Sequence, residues 1–198
     1  MIVGHFATAL IPASRYPRFP VLLFLIASNL ADFLWLFLAL FRIEPPNLLS
    51  MWEVTFQRMK VPIMYSHETW AILLMAGVVA GITYLWFRQK GPALWCGLLV
   101  VLHLLEDWLS GLEHSVWGPG TPCLSLNLYG KAPHLAIVIE AVFGAGCVFY
   151  YEWSESKQGR PIPPKKLFCL YSIFTLGALI WLPTATVSLG EWRTLFFS

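Results

Sequence analysis

Charge is scarce in this chain. Its 198 residues include 13 Lys plus Arg and 11 Asp plus Glu, so 12% are charged while 58% are hydrophobic. A soluble domain of this size carries about 25% charged and about 45–50% apolar residues. The excess of apolar residues excludes a disordered chain, and a net charge of only +2 without a basic face argues against nucleic-acid binding. Heptads are absent, which excludes a coiled coil, and there is neither an internal repeat nor a low-complexity tract. Cysteine is sparse too: Cys96, Cys123, Cys147 and Cys169 form no CxxC pair, and three of them lie in apolar runs. That excludes a secreted disulfide scaffold and leaves them as small packing residues. One integral membrane domain over residues 1–198 is the class that remains.

What the chain does have is long apolar runs. Residues 21–41, 69–87, 92–109, 133–151 and 167–189, the last interrupted by Pro183, are each long enough to cross about 30 Å of hydrocarbon. The expected fold is an all-α polytopic membrane bundle of about five transmembrane helices. The first run contains Asn29 and Asp32, is too long for a signal-peptide core and is followed by no small-residue cleavage site, so it is read as mature structure. Eight Lys or Arg fall on the side of the N-terminus and the loops 88–91 and 152–166, against five on the other side. The positive-inside rule then puts the N-terminus in the cytoplasm and the long loops 42–68 and 111–132 outside. Loops of that length are often functional lids or binding loops, the alternative being a disordered or merely packed connection. Gly77-Val-Val-Ala-Gly81 is a GxxxG pattern suited to close helix packing within the bundle, and Trp52, Trp70, Trp86, Trp108, Trp153 and Trp192 read as interface anchors.

Residues 1–14 are apolar apart from His5, Thr8 and Ser14, too short to span, and end in the basic turn Arg15-Tyr16-Pro17-Arg18. They are expected to form a re-entrant half-helix. At 1.5 Å per residue from the cytoplasmic surface, His5 would lie roughly 15 Å deep, Asp32 roughly 20 Å, His103 and Glu140 about 18 Å and Asp107 about 24 Å.

Asp32, His103, Glu106, Asp107 and Glu140 therefore sit in spanning segments, where a charge costs at least about 2.5–3.5 kcal/mol. His103 and Asp107 are four apart and share a helical face, with Glu106 on the neighbouring stripe. His67 and His134 begin their helices just above the same layer. Imidazoles and carboxylates at one depth suit a borderline cation such as zinc, which would neutralise buried carboxylates. A polar network between helices explains the same residues, and a proton relay is a third reading.

The opening Gly4-His5-Phe6-Ala7-Thr8-Ala9-Leu10, Asp32 in the first span, Tyr65-Ser66-His67 and His103-Leu-Leu-Glu-Asp107-Trp resemble the bacterial membrane-bound metal-dependent hydrolase-like proteins over about residues 1–151. The Pro/Gly-rich stretch 118–130 and Glu140 fit the same pattern. The order His, Asp, His, His-x-x-x-Asp and a late acidic residue is also similar to zinc-dependent phospholipases C and related nucleases. The resemblance implies His5, His67, His103 and Asp107 as ligands, Asp32 as a bridging ligand or general base, and Glu140 as a further ligand. One to three zinc ions, or another divalent transition metal, would act in the bacterial inner membrane with the site toward the periplasmic half. Asp32 or Glu68 would orient the water that attacks a phosphoester in a lipid or lipid-linked substrate. The chain departs from the pattern at Glu68, where relatives commonly have Ser, and at Gly111, where they often have His; His114 is the nearest substitute. The alternative is a non-enzymatic polytopic protein, a proton or ion pathway or a structural subunit, built on a buried polar network.

Overall fold

The computed structural model describes residues 3–44, 52–58, 65–111, 117, 121–122 and 124–197. His114, Cys123 and residues 118–120 of the second long loop lie outside them. Among the described residues the protein is all-helical, without strands.

Among the described residues, four helical segments are long and apolar enough to cross a membrane: α5 (Thr69–Phe87), α6 (Lys90–Ser110), α8 (Pro133–Lys157), which follows the short α7 (Leu128–Lys131), and the last span Pro164–Thr184. The pair α3 (Val21–Ser28) and α4 (Leu30–Leu40) makes a fifth if counted as one, but it is bent by 61°. The span expected over residues 21–41, which contains Asn29 and Asp32, is thus bent sharply at Asn29. Its hinge has a local cause: the Ser28 hydroxyl and the Asn29 amide both donate to the Leu25 carbonyl, at 3.1 Å each, offering the backbone an alternative to the helical ladder.

The last span also differs from expectation. It starts as α9 (Pro164–Tyr171), widens into a π-helical turn at Ser172–Leu176, continues through α10 (Gly177–Leu179) and closes as a 3-10 turn at Leu182–Thr184. It ends around Pro183 instead of running to Leu189, because proline removes a helical donor. The widened turn lies where α8 approaches closest: a Cβ on Gly144 would stand 2.6 Å from the Phe174 carbonyl. Beyond it α11 (Leu189–Phe197) opens with a reciprocal capping box between Ser188 and Glu191. The Ser188 amide and then the Arg58 guanidinium, 3.0 Å away, hold the Glu191 carboxyl below its ordinary range.

A two-residue turn at Arg88 and Gln89 makes α5 and α6 antiparallel neighbours. Small residues set their approach, but not those of the GxxxG pattern. A Cβ on Gly97 would meet the Ala76 carbonyl at 2.9 Å and the Ala80 methyl at 3.1 Å, whereas Gly77 and Gly81 face outward with nothing within 4 Å. The N-terminal segment forms two short helices, α1 (Gly4–Thr8) and α2 (Leu10–Arg15), folded back into the bundle. Ala7 and Leu10 pack on Cys147, Val148 and Phe174, while Ala9 and Ala13 pack with Phe24, Ala27, Cys96 and Leu99. Alanine at these places lets a half-helix fit between α3, α6 and α8.

The burial pattern is inverted relative to a water-soluble protein. Leu74, Val78, Ile82, Leu85, Val142, Phe149 and Ile180 are exposed, while His5, Thr8, Ser28, Ser66, His67, His103, Glu106, Asp107 and Glu140 are buried. An apolar exterior around a polar interior is what a lipid solvent selects, and the protein is a membrane protein.

Candidate metal centre

The polar interior concentrates at the end of the bundle where α5 begins and α6 ends. His5 comes from α1, Asp32 from the first turn of α4 just after the hinge, His67 from the residue pair preceding α5, and His103 and Asp107 from one face of α6. Their ligating atoms form a chain. Asp32 Oδ1 lies 3.4 Å from His67 Nε2, which lies 3.4 Å from His103 Nε2, which lies 3.4 Å from Asp107 Oδ2. His5 Nε2 lies 3.1 Å from the other oxygen, Asp107 Oδ1. Two overlapping groups result, His5/His103/Asp107 and Asp32/His67/His103, with His103 shared.

Each imidazole is oriented from behind. His103 Nδ1 donates to the Ser28 carbonyl at 2.8 Å, an acceptor made available at the hinge. His5 Nδ1 donates to Glu106 Oε2 at 2.6 Å, and Glu106 Oε1 also accepts the Thr8 hydroxyl. His67 Nδ1 lies 2.8 Å from the Ser66 hydroxyl. A carbonyl and a carboxylate thus take the Nδ1 protons of His103 and His5, a hydroxyl stands beside Nδ1 of His67, and all three Nε2 atoms point inward. His5 and His103 stack face to face, with ring centroids 3.7 Å apart.

Groups of this kind could hold a divalent metal ion. Donors about 2.0–2.1 Å from a tetrahedral ion lie about 3.3–3.4 Å from one another. Metal-bound histidines donate their other N–H to a carboxylate or carbonyl. Because the single inward nitrogen of His103 belongs to both groups, it can bind one ion at a time. Four of the five side chains are at most 9% exposed, whereas Asp32 is 39% exposed and marks the open edge of the site.

Other candidates from the sequence are placed differently. Glu140 is buried, but its Oε1 accepts the Val3 and Gly4 amides, the latter at 2.9 Å, and its Oε2 accepts the Tyr129 hydroxyl. It secures α1 and, among the described residues, belongs to neither ligand group. Glu68 is buried with its carboxylate held by the Trp70 indole, likewise outside both groups. His134 is exposed on the first turn of α8. Glu106, on the neighbouring stripe of α6, faces His5. Gly111 touches Asp107 so closely that a Cβ would stand 2.7 Å from its carbonyl oxygen and 3.1 Å from Oδ1, so no side chain fits there.

Sequence reasoning missed the outer partners Glu44, Ser66, Ser28, Thr8 and Tyr129. A serine directly before His67 was the available signal; nothing in the pattern around Glu44 singles it out.

Comparison of the chain with protein-family models, with curated proteins and with solved structures finds no match. Fold and site together define a helical membrane protein with a buried histidine–aspartate centre.

Proposed function

We propose that the protein is a membrane-embedded, zinc-dependent hydrolase of phosphoesters in lipids or lipid-linked substrates. The observation that carries this reading is the inward convergence of three Nε2 atoms and two carboxylates, each imidazole fixed from behind by an outer acceptor. A divalent ion there supplies a nucleophilic water near neutral pH and charge neutralisation for a phosphoryl group. The chain's own residues do the rest. His5, His67, His103 and Asp107 hold their atoms in place, and Asp32, half-open at the edge, is the group that can accept a proton from an entering water. Glu68, engaged by Trp70, leaves that role to Asp32.

The lipid side of the proposal rests on where the site opens. Asp32 is flanked on α4 by exposed Phe33, Leu36 and Phe37, an apolar edge that suits an acyl chain better than a soluble substrate. The bias of Lys and Arg supports an N-terminus in the cytoplasm and a site in the outer half of the bacterial inner membrane.

The test is metal analysis and turnover on the same preparation. Protein purified in detergent without chelator is expected to carry about one equivalent of zinc and to release phosphate from a lipid phosphomonoester or a headgroup from a phosphodiester, with loss of both on chelation. Less than a tenth of an equivalent of any transition metal would overturn the metal reading in favour of a polar network. Metal without turnover on either substrate class would overturn the hydrolase.

A further inference from the structure

The connection after α4 places a carboxylate behind His67. Glu44 is 2% exposed, although it lies outside the helices. Its Oε1 accepts the Tyr65 and Ser66 amides, the latter at 3.1 Å, and its Oε2 accepts the Ser66 hydroxyl at 2.8 Å. The hydroxyl proton is thereby committed to Glu44, so the Ser66 oxygen accepts the proton of His67 Nδ1. His67 then presents its Nε2 lone pair to the position between Asp32 and His103. We infer that Glu44 is a positioning residue that sets the tautomer of His67 through Ser66 and so makes it competent to bind the metal. The inference rests on the metal reading above.

The directionality gives a sharp test. In Glu44→Gln the two backbone amides are obligate donors and keep the side-chain oxygen on their side. The new NH2 group then faces Ser66. Its hydroxyl must turn and donate to His67 Nδ1, which moves the imidazole proton to Nε2, where it blocks the ligand lone pair. An isosteric change therefore reverses the hydrogen-bond direction while preserving packing. Ser66→Ala cuts the connection without reversing it.

Zinc affinity is measured by competition with a chelator, and the tautomer by 15N NMR of histidine-labelled apoprotein. Wild type is expected to carry the His67 proton on Nδ1. Ser66→Ala is expected to bind zinc roughly 10–100-fold more weakly, and Glu44→Gln to be weaker still, with the proton on Nε2 and an apoprotein melting temperature near wild type. A merely structural Glu44 would leave the isosteric Gln variant at wild-type affinity, and that result overturns the inference, as does an Nε2 proton in the wild-type apoprotein. If Glu44→Gln does not fold, wild-type affinity in Ser66→Ala overturns it. Wild type that binds no zinc removes the metal reading, whereas a tautomer that switches in Glu44→Gln still shows the relay; the two failures are thus distinguishable.

Discussion

At the scale of the residue, the centre is governed by which atoms are obliged to donate. The Ser28 carbonyl can only accept, so the tautomer of His103 is fixed by a backbone atom that no substitution removes. Glu106 holds His5 differently from the way Glu44 holds His67. Its partners are the His5 ring and the Thr8 hydroxyl, and that hydroxyl can turn to the Gly4 carbonyl, 3.2 Å away. In Glu106→Gln the amide oxygen can therefore face His5 while the NH2 group faces Thr8, and the tautomer survives. Zinc affinity is expected to fall by less than about tenfold, below the roughly 10–100-fold of a lost outer partner. A chelator competition in which Glu106→Gln is as weak as Glu44→Gln would refute this account of direction. The visibility of residues from sequence follows the same chemistry. Asp32, His103 and Asp107 are conspicuous because a charge in an apolar run needs a reason. Glu44 is invisible because an acid in a polar connection needs none.

At the scale of the element, the half-helix is the least self-sufficient part of the fold. Five residues of α1 cannot hold themselves helical in isolation, since helix nucleation is costly. It is held by alanine packing and by Glu140, which receives two of its first amides. Glu140→Ala strands those donors at about 1–3 kcal/mol each where water does not reach them, and it releases the element that carries His5. The expected result is a clear loss of thermal stability together with weaker zinc binding. Glu140→Gln should be milder on both counts, because its oxygen can serve the amides and its NH2 group can donate to the Tyr129 oxygen. Equal thermal stability for wild type and Glu140→Ala in detergent would show that packing alone seats α1. Element identity was readable from apolar length, which is why α5 matches its expected bounds. The hinge at Asn29 and the π-helical turn were not, because both depend on local competition for carbonyls and on the approach of Gly144 to Phe174. The GxxxG pattern misled for a related reason: small residues permit a close approach, but Ala76, Ala80 and Gly97 are the ones that make it.

At the scale of the whole molecule, the solvent explains why polar residues turn inward. Hydrocarbon gives an ionisable group no hydrogen bonds, so His5, His67, His103, Glu106, Asp107 and Glu140 turn inward where polar partners satisfy them, and much of the exterior of the spans is left to leucine, valine and phenylalanine. Val78 offers a direct check, lying at the middle of α5 and 49% exposed. If that face meets lipid, Val78→Arg costs about 2.5–3.5 kcal/mol on insertion scales. If it met water, an exposed substitution away from any special feature would stay within about 0.5 kcal/mol. Leu195→Arg supplies the control, since Leu195 is exposed on α11 beyond the last span. The measurement is the fraction of each variant recovered folded from the membrane. Val78→Arg is expected to fall severalfold while Leu195→Arg matches wild type, and equal recovery of the two would place the apolar exterior against something other than a bilayer.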